Sequence, residues 1–148
     1  MRIAVDTRGI NHIFKGGVNE YTISLMHSFF DEGRGVELDL ITSGFDASNR
    51  RSVKRLFPYP NAQVRSINTS NKLLNASILA LGEPKLDQIG GSRPDVLFMP
   101  NLNTLAKKRK TPLVVTFHDL SYEIYRDFFS QRMRMWHRFV QPRRISRE

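Results

Sequence analysis

The sequence contains no cysteine. That excludes disulfide bridges, thiol catalysis and Cys-ligated zinc, and it fits a cytosolic setting. Long hydrophobic runs are missing too: no apolar stretch reaches the roughly 18 residues that a membrane-spanning helix needs. No charged-then-apolar leader is visible at the N-terminus, so a signal peptide is not expected. Acidic residues are scarce, with 14 Asp and Glu against 23 Lys and Arg, a net charge of +9. Such an imbalance favours nucleic acid, anionic lipid or a phosphorylated ligand as partner. The glycine fingerprints G-x-G-x-x-G and G-x-x-x-x-G-K-[ST] are both absent, so the standard dinucleotide and P-loop readings lack their motifs. The four histidines are not spaced as metal ligands, and no metal site is expected.

What remains is an ordinary globular composition, with 40% hydrophobic and 25% charged residues over 148 positions. A chain of this length makes one domain, residues 1–148, and buries roughly 70% of the surface its unfolded form exposes. The cations are clustered. Lys107 to Lys110 reads KKRK, and Arg132, Arg134, Arg138, Arg143, Arg144 and Arg147 crowd the tail.

Strand and helix patterns alternate. Arg2 to Asp6 (RIAVD) is a short apolar strand, and Thr7 to Phe14 is a loop. From Gly17, residues Val18, Tyr21, Leu25 and Phe29 fall at helical spacing until Gly33 and Gly35. Val36 to Thr42 alternates as a second strand. Asp46 or Ser48 can cap a helix ending near Phe57, before Pro58 and Pro60. Ala62 to Ile67 is a weaker third strand. Asn71 to Ile89 is helical in pattern, with Gly82 and Pro84 able to split it, and Gly90 to Pro94 form a turn. Asp95 to Met99 and Pro112 to Phe117 are uninterrupted apolar runs and predict buried strands. Ser130 to Val140 is helical, with Met133, Trp136 and Val140 on one face, and Pro142 can open a further helix. This alternation predicts an α/β fold, a Rossmann-like three-layer αβα arrangement with a mainly parallel sheet. In such sheets ligands bind beyond the carboxyl ends of the strands. Those ends carry Asp6-Thr7-Arg8, Pro100-Asn101 and His118-Asp119.

Each candidate has two readings. Gly16-Gly17 before a helix is either an anion site, where a ligand approaches bare backbone and free N–H groups, or a tight loop. His118 can donate to a sugar hydroxyl or phosphate with Asp119 orienting it, or it is structural with Asp119 capping the next turn. His12, His27 and His137 read as surface or packing residues. A His-Asp pair also serves metal phosphohydrolases, but those need further ligands on an all-helical frame. KKRK is either a solvated loop or a contact for membrane or a phosphorylated acceptor. The tail arginines, interleaved with Phe129, Met133, Trp136 and Phe139, suit either a helix lying on lipid or one packed on the sheet. No nucleic-acid recognition motif is present, and no nucleic-acid partner is expected.

Four segments in order, MRIAVDTRGI, GGVNEYTISLMHSF, PDVLFMPN and TPLVVTFHDLSYEIY, resemble the N-terminal, acceptor-side half of GT-B glycosyltransferases of the family 4 type. The resemblance spans nearly the whole chain and implies one half of a GT-B fold. It implies transfer of a sugar, with retention, from a nucleotide-sugar donor to a glycan or lipid-linked acceptor. No cofactor is implied beyond the donor as substrate. It sets Gly16 and Gly17 near the donor diphosphate and His118 against the transferred sugar, with Asp119 beside it. From their place at the strand ends, Arg8 and Asn101 are further candidate substrate contacts on the rim. The family's C-terminal nucleotide-sugar domain has no counterpart in these 148 residues. The chain is therefore expected to be a fragment or a split subunit that is inactive without that domain. A cytoplasmic location, with contact at the inner face of the membrane, goes with this expectation. The alternative is a non-catalytic module that binds a phosphorylated or anionic lipid ligand.

Overall fold

The computed structural model describes residues 1–10, 16–32, 35–45, 47–140 and 145. Its centre is a five-stranded, all-parallel sheet: β1 (Arg2–Asp6), β2 (Glu37–Ser43), β3 (Ala62–Ile67), β4 (Val96–Met99) and β5 (Leu113–Val115), in the order β3-β2-β1-β4-β5. The chain winds outward from β1 to β3, then crosses back to lay β4 on the other side of β1. The winding direction therefore reverses between β1 and β4, which opens a crevice at their carboxyl ends.

Alternation along the central strands builds two cores. Ile3, Val5, Leu38, Leu40 and Phe98 face one side. They pack against Met26 of α1 (Gly17–Glu32) and Val53 of α2 (Ala47–Leu56). Ala4, Ile41 and Leu97 face the other side. They meet Leu74 and Ile78 of α3 (Asn71–Leu81), together with Leu86 and Ile89 of a 3-10 turn over Leu86–Gly91. The result is the Rossmann-like three-layer fold that the alternating pattern predicts.

Gly82 ends α3 in the left-handed region at φ 66°, and its N–H closes on the Ile78 carbonyl. The expected split of the Asn71–Ile89 stretch thus falls at Gly82. The six residues Leu38 to Ser43 of β2 are all buried, including Asp39. A carboxylate in that position is tolerable because Arg65 donates to one of its oxygens at 2.9 Å and the Ser92 hydroxyl donates to the other.

The C-terminal third departs from expectation. β5 has three residues, lies at the edge of the sheet and leaves Val114 exposed, so Pro112 to Phe117 is not a buried strand. Among the described residues no strand covers its outer side. A short helix α4 (Ser121–Ile124) and a 3-10 turn (Arg126–Phe128) follow, neither of which the pattern signals. In α5 (Gln131–Val140), Met133 and Trp136 are exposed and only Val140 is buried, so the expected apolar face is not packed on the sheet. Expectations for His12, Phe14, Gly33, Asp46, Pro142, Arg143, Arg144 and Arg147 lie outside the described residues.

Candidate functional site

The crevice between β1 and β4 is small. It holds about 20 Å³, room on the order of a single water. Asp6, Gly9, Val18, Thr22 and Asn101 line it. The loop after β1, the start of α1 and the loop after β4 form its walls, and the loop after β5 meets the loop after β4 where His118 reaches Pro100.

His118 is the best-defined group there. It is exposed, three residues beyond β5. Its Nε2 lies 2.8 Å from the Pro100 carbonyl. A carbonyl only accepts, so Nε2 carries the ring proton and, in the neutral imidazole, Nδ1 presents a lone pair. Tyr21, one turn into α1, fixes the ring from the side, with centroids 4.9 Å apart and planes at 85°. The Tyr21 hydroxyl sits 3.2 Å from Thr116 Oγ1. This contact joins the helix that Gly16-Gly17 opens to the segment that ends in His118, across 97 positions of sequence (118 − 21).

Gly16 and Gly17 are exposed, and a Cβ built on either would meet nothing within 4 Å. Neither packing nor backbone angle requires glycine at these two positions. The bare backbone leaves space, and the first intrahelical bond, from the Glu20 N–H to the Gly16 carbonyl, is 3.1 Å long. The N–H groups before Glu20 open the helix without a helical acceptor, which makes this end attractive to an anion.

Asp119 does not orient His118. Both of its oxygens take hydrogen bonds from Ser121, from the backbone N–H and from the hydroxyl, each at 2.6 Å. These bonds, the hydroxyl's first, hold the Asp119 carboxyl below its ordinary range. Asp119 therefore organises the turn into α4, the second of its two readings.

Arg8 is not on the rim. Its side chain is 0% exposed and grips Asp6 with two bonds of 2.8 and 2.7 Å. It also donates to the Thr104 carbonyl at 2.8 Å and to Asn75 Oδ1 at 3.3 Å. Its charge is spent on holding β1, α3 and the loop after β4 together. The sequence shows Asp and Arg two residues apart, but only the turn at Arg8 folds one back onto the other. Asn101 is exposed beside Pro100 and borders the mouth.

Tyr21 and Thr116 are the site residues that sequence reasoning missed. Helical spacing assigns Tyr21 to the core, and only its position one turn after the glycines hints otherwise. Among the described residues no group of three or more His, Asp or Glu could hold a metal ion, and no helix is long and apolar enough to cross a membrane.

A larger cavity of about 330 Å³ lies elsewhere, between α3, the Thr104–Lys107 segment and the end of α5. Its walls include Ile78, Leu105, Phe139 and Val140. It borders none of His118, Gly16 and Gly17, and Lys85 on its wall is bonded to the Gly82 carbonyl.

The fold defines the class: a Rossmann-like α/β domain with a small crevice at its topological switch point. No protein-family model, curated protein or solved structure matches this chain.

Proposed function

We propose that the chain is the acceptor-side half of a retaining GT-B glycosyltransferase, carrying a sugar from a nucleotide-sugar donor to a glycan or lipid-linked acceptor. The observation that supports this reading best is the Tyr21–His118 contact. It brings together the glycine-led helix start and the histidine of the His-Asp segment, which belong to two of the four segments on which the family resemblance rests. In this reading His118 meets a hydroxyl of the transferred sugar, with Pro100 fixing its tautomer. The N–H groups at Gly16 and Gly17 face the donor phosphate, where fixed dipoles stabilise a departing diphosphate. Asn101 bonds the acceptor at the rim. Arg8 acts at one remove by bracing the crevice floor, and Asp119 shapes the loop beyond His118. The second domain supplies the remaining donor contacts.

The test is an imidazole titration by NMR, following His118 Nδ1 and Nε2 while UDP-glucose, GDP-mannose or free UDP is added. A shift at His118 with a nucleotide sugar, smaller with the nucleotide alone and lost in Tyr21→Ala, is the expected result. An unchanged His118 resonance at millimolar sugar nucleotide would remove the basis of the proposal.

A further inference from the structure

The observation lies on α2, which packs on the same face of the sheet as α1 but over β2 and β3, away from the β1–β4 crevice. Its sequence, ASNRRSVKRL, contains no acid and four cations. Val53 and the following Phe57 bury one side of this helix against β2 and β3 in the first core. Arg50, Arg51, Lys54 and Arg55 are all exposed. They form two like-charged pairs four residues apart, Arg50 with Lys54 and Arg51 with Arg55. Such pairs repel one another along a helix. No carboxylate among the described residues pairs with any of the four. Just before the helix, Phe45 stands 67% exposed. Arg2, Arg126 and Arg134 do pair with acids, Glu37, Glu123 and Asp127, whereas the exposed Lys108, Arg109, Lys110, Arg132 and Arg138 have no ion pair among the described residues either. The α2 face is thus a concentrated, unneutralised positive surface with an aromatic at one end.

We propose that this face docks the chain on an anionic lipid surface, with Arg50, Arg51, Lys54 and Arg55 against the headgroups and Phe45 inserted at the interface. The charge arrangement favours a polyanion. The exposed Phe45 and the convex helix face favour a bilayer over a nucleic acid, which calls for a groove and a row of stacking aromatics. Neither the nucleotide-sugar reading nor the crevice enters this argument, so the two can fail separately.

The test is co-sedimentation of the chain with vesicles of phosphatidylcholine alone or phosphatidylcholine mixed with phosphatidylserine. Binding is expected only to the mixed vesicles and falls as salt rises. Neutralising one cation should weaken it about fivefold. The combined variant Arg50→Gln, Arg51→Gln, Lys54→Gln and Arg55→Gln should weaken it at least about a hundredfold. Circular dichroism should stay unchanged and the thermal transition should not fall, since all four side chains are exposed and two repelling pairs are relieved. Phe45→Ser should lower vesicle affinity with net charge unaltered, an effect that purely electrostatic adsorption would not show. Arg132→Gln, Arg134→Gln and Arg138→Gln in α5 should leave binding within about twofold, because the contact is on α2. No binding to mixed vesicles would overturn the proposal. So would a loss confined to the α5 variant, or tighter binding to duplex DNA than to vesicles at the same salt.

Discussion

Residues before Lys107 and residues after it use similar side chains to different effect. In the first region the apolar positions of β1, β2 and β4 are nearly all sealed between helices. From Lys107 to Phe139 not one residue is buried, although that stretch holds Val114, Leu120, Ile124, Tyr125, Phe128, Met133, Met135, Trp136 and Phe139. The difference comes from neighbours. A central strand has a layer on both faces, whereas β5 is an edge and α5 touches the rest of the molecule chiefly at its C-terminal end. Apolar periodicity reports what a segment can bury, and only the topology decides whether it does.

The largest test of this contrast is Arg8→Met. It strands the Asp6 carboxylate, 3% exposed, without its partner. Removing one member of a buried pair costs about 3–5 kcal/mol, and urea unfolding should show a loss of that size. A change below about 1 kcal/mol would mean that the region is less tightly closed than its geometry indicates. A matched pair comes next. Leu97→Ala should cost about 2–5 kcal/mol, while Met135→Ala on α5 should stay within about 0.5 kcal/mol. Equal losses in the two variants would erase the distinction between the regions.

The smallest effect is a pH dependence confined to the second region. The His137 ring stacks on Tyr122 at 3.8 Å, and its Nδ1 is buried without a hydrogen-bond partner among the described residues. Burial pushes the His137 pKa below its ordinary value. The folded state therefore binds fewer protons than the unfolded one. The stabilisation is complete above the ordinary histidine pKa and is lost as the pH falls through and below it. The protection factors of α5 amides, with the intrinsic pH dependence of exchange divided out, should fall from pH 8 to pH 5 (about one to two units either side of the ordinary histidine pKa), with those of β1 amides much less affected. His137→Phe should flatten the α5 profile. A flat profile in the unaltered protein would contradict the burial of that ring.

Much of the fold is legible from pattern alone. β1 and β3 fall on the residues that their apolar runs mark, and α1 starts at Gly17 as its spacing indicates, because local preference and tertiary role agree there. Asp39 is less legible, since its burial depends on Arg65 and Ser92, which lie 26 and 53 positions away. The same holds in the crevice. His118 can be picked out by its place after a strand, but its fixed orientation needs Pro100 and Tyr21, which no local pattern links to it. Asp119 was ambiguous for the opposite reason. Its partner is two residues away, and a carboxylate at that spacing fits a turn as well as a catalytic pair.

The outer edge of β5, which no strand covers among the described residues, has a consequence for handling the protein. An unpaired strand edge offers its N–H and C=O groups to any extended chain, including another copy. The lysine and arginine side chains of Lys107 to Lys110 stand directly before that strand. Copies that met through this edge with their strands parallel would bring these four-charge clusters near one another, so the basic loop would guard against that pairing. Dilute salt should keep the chain monodisperse, and high salt, by screening the guard, should let it aggregate.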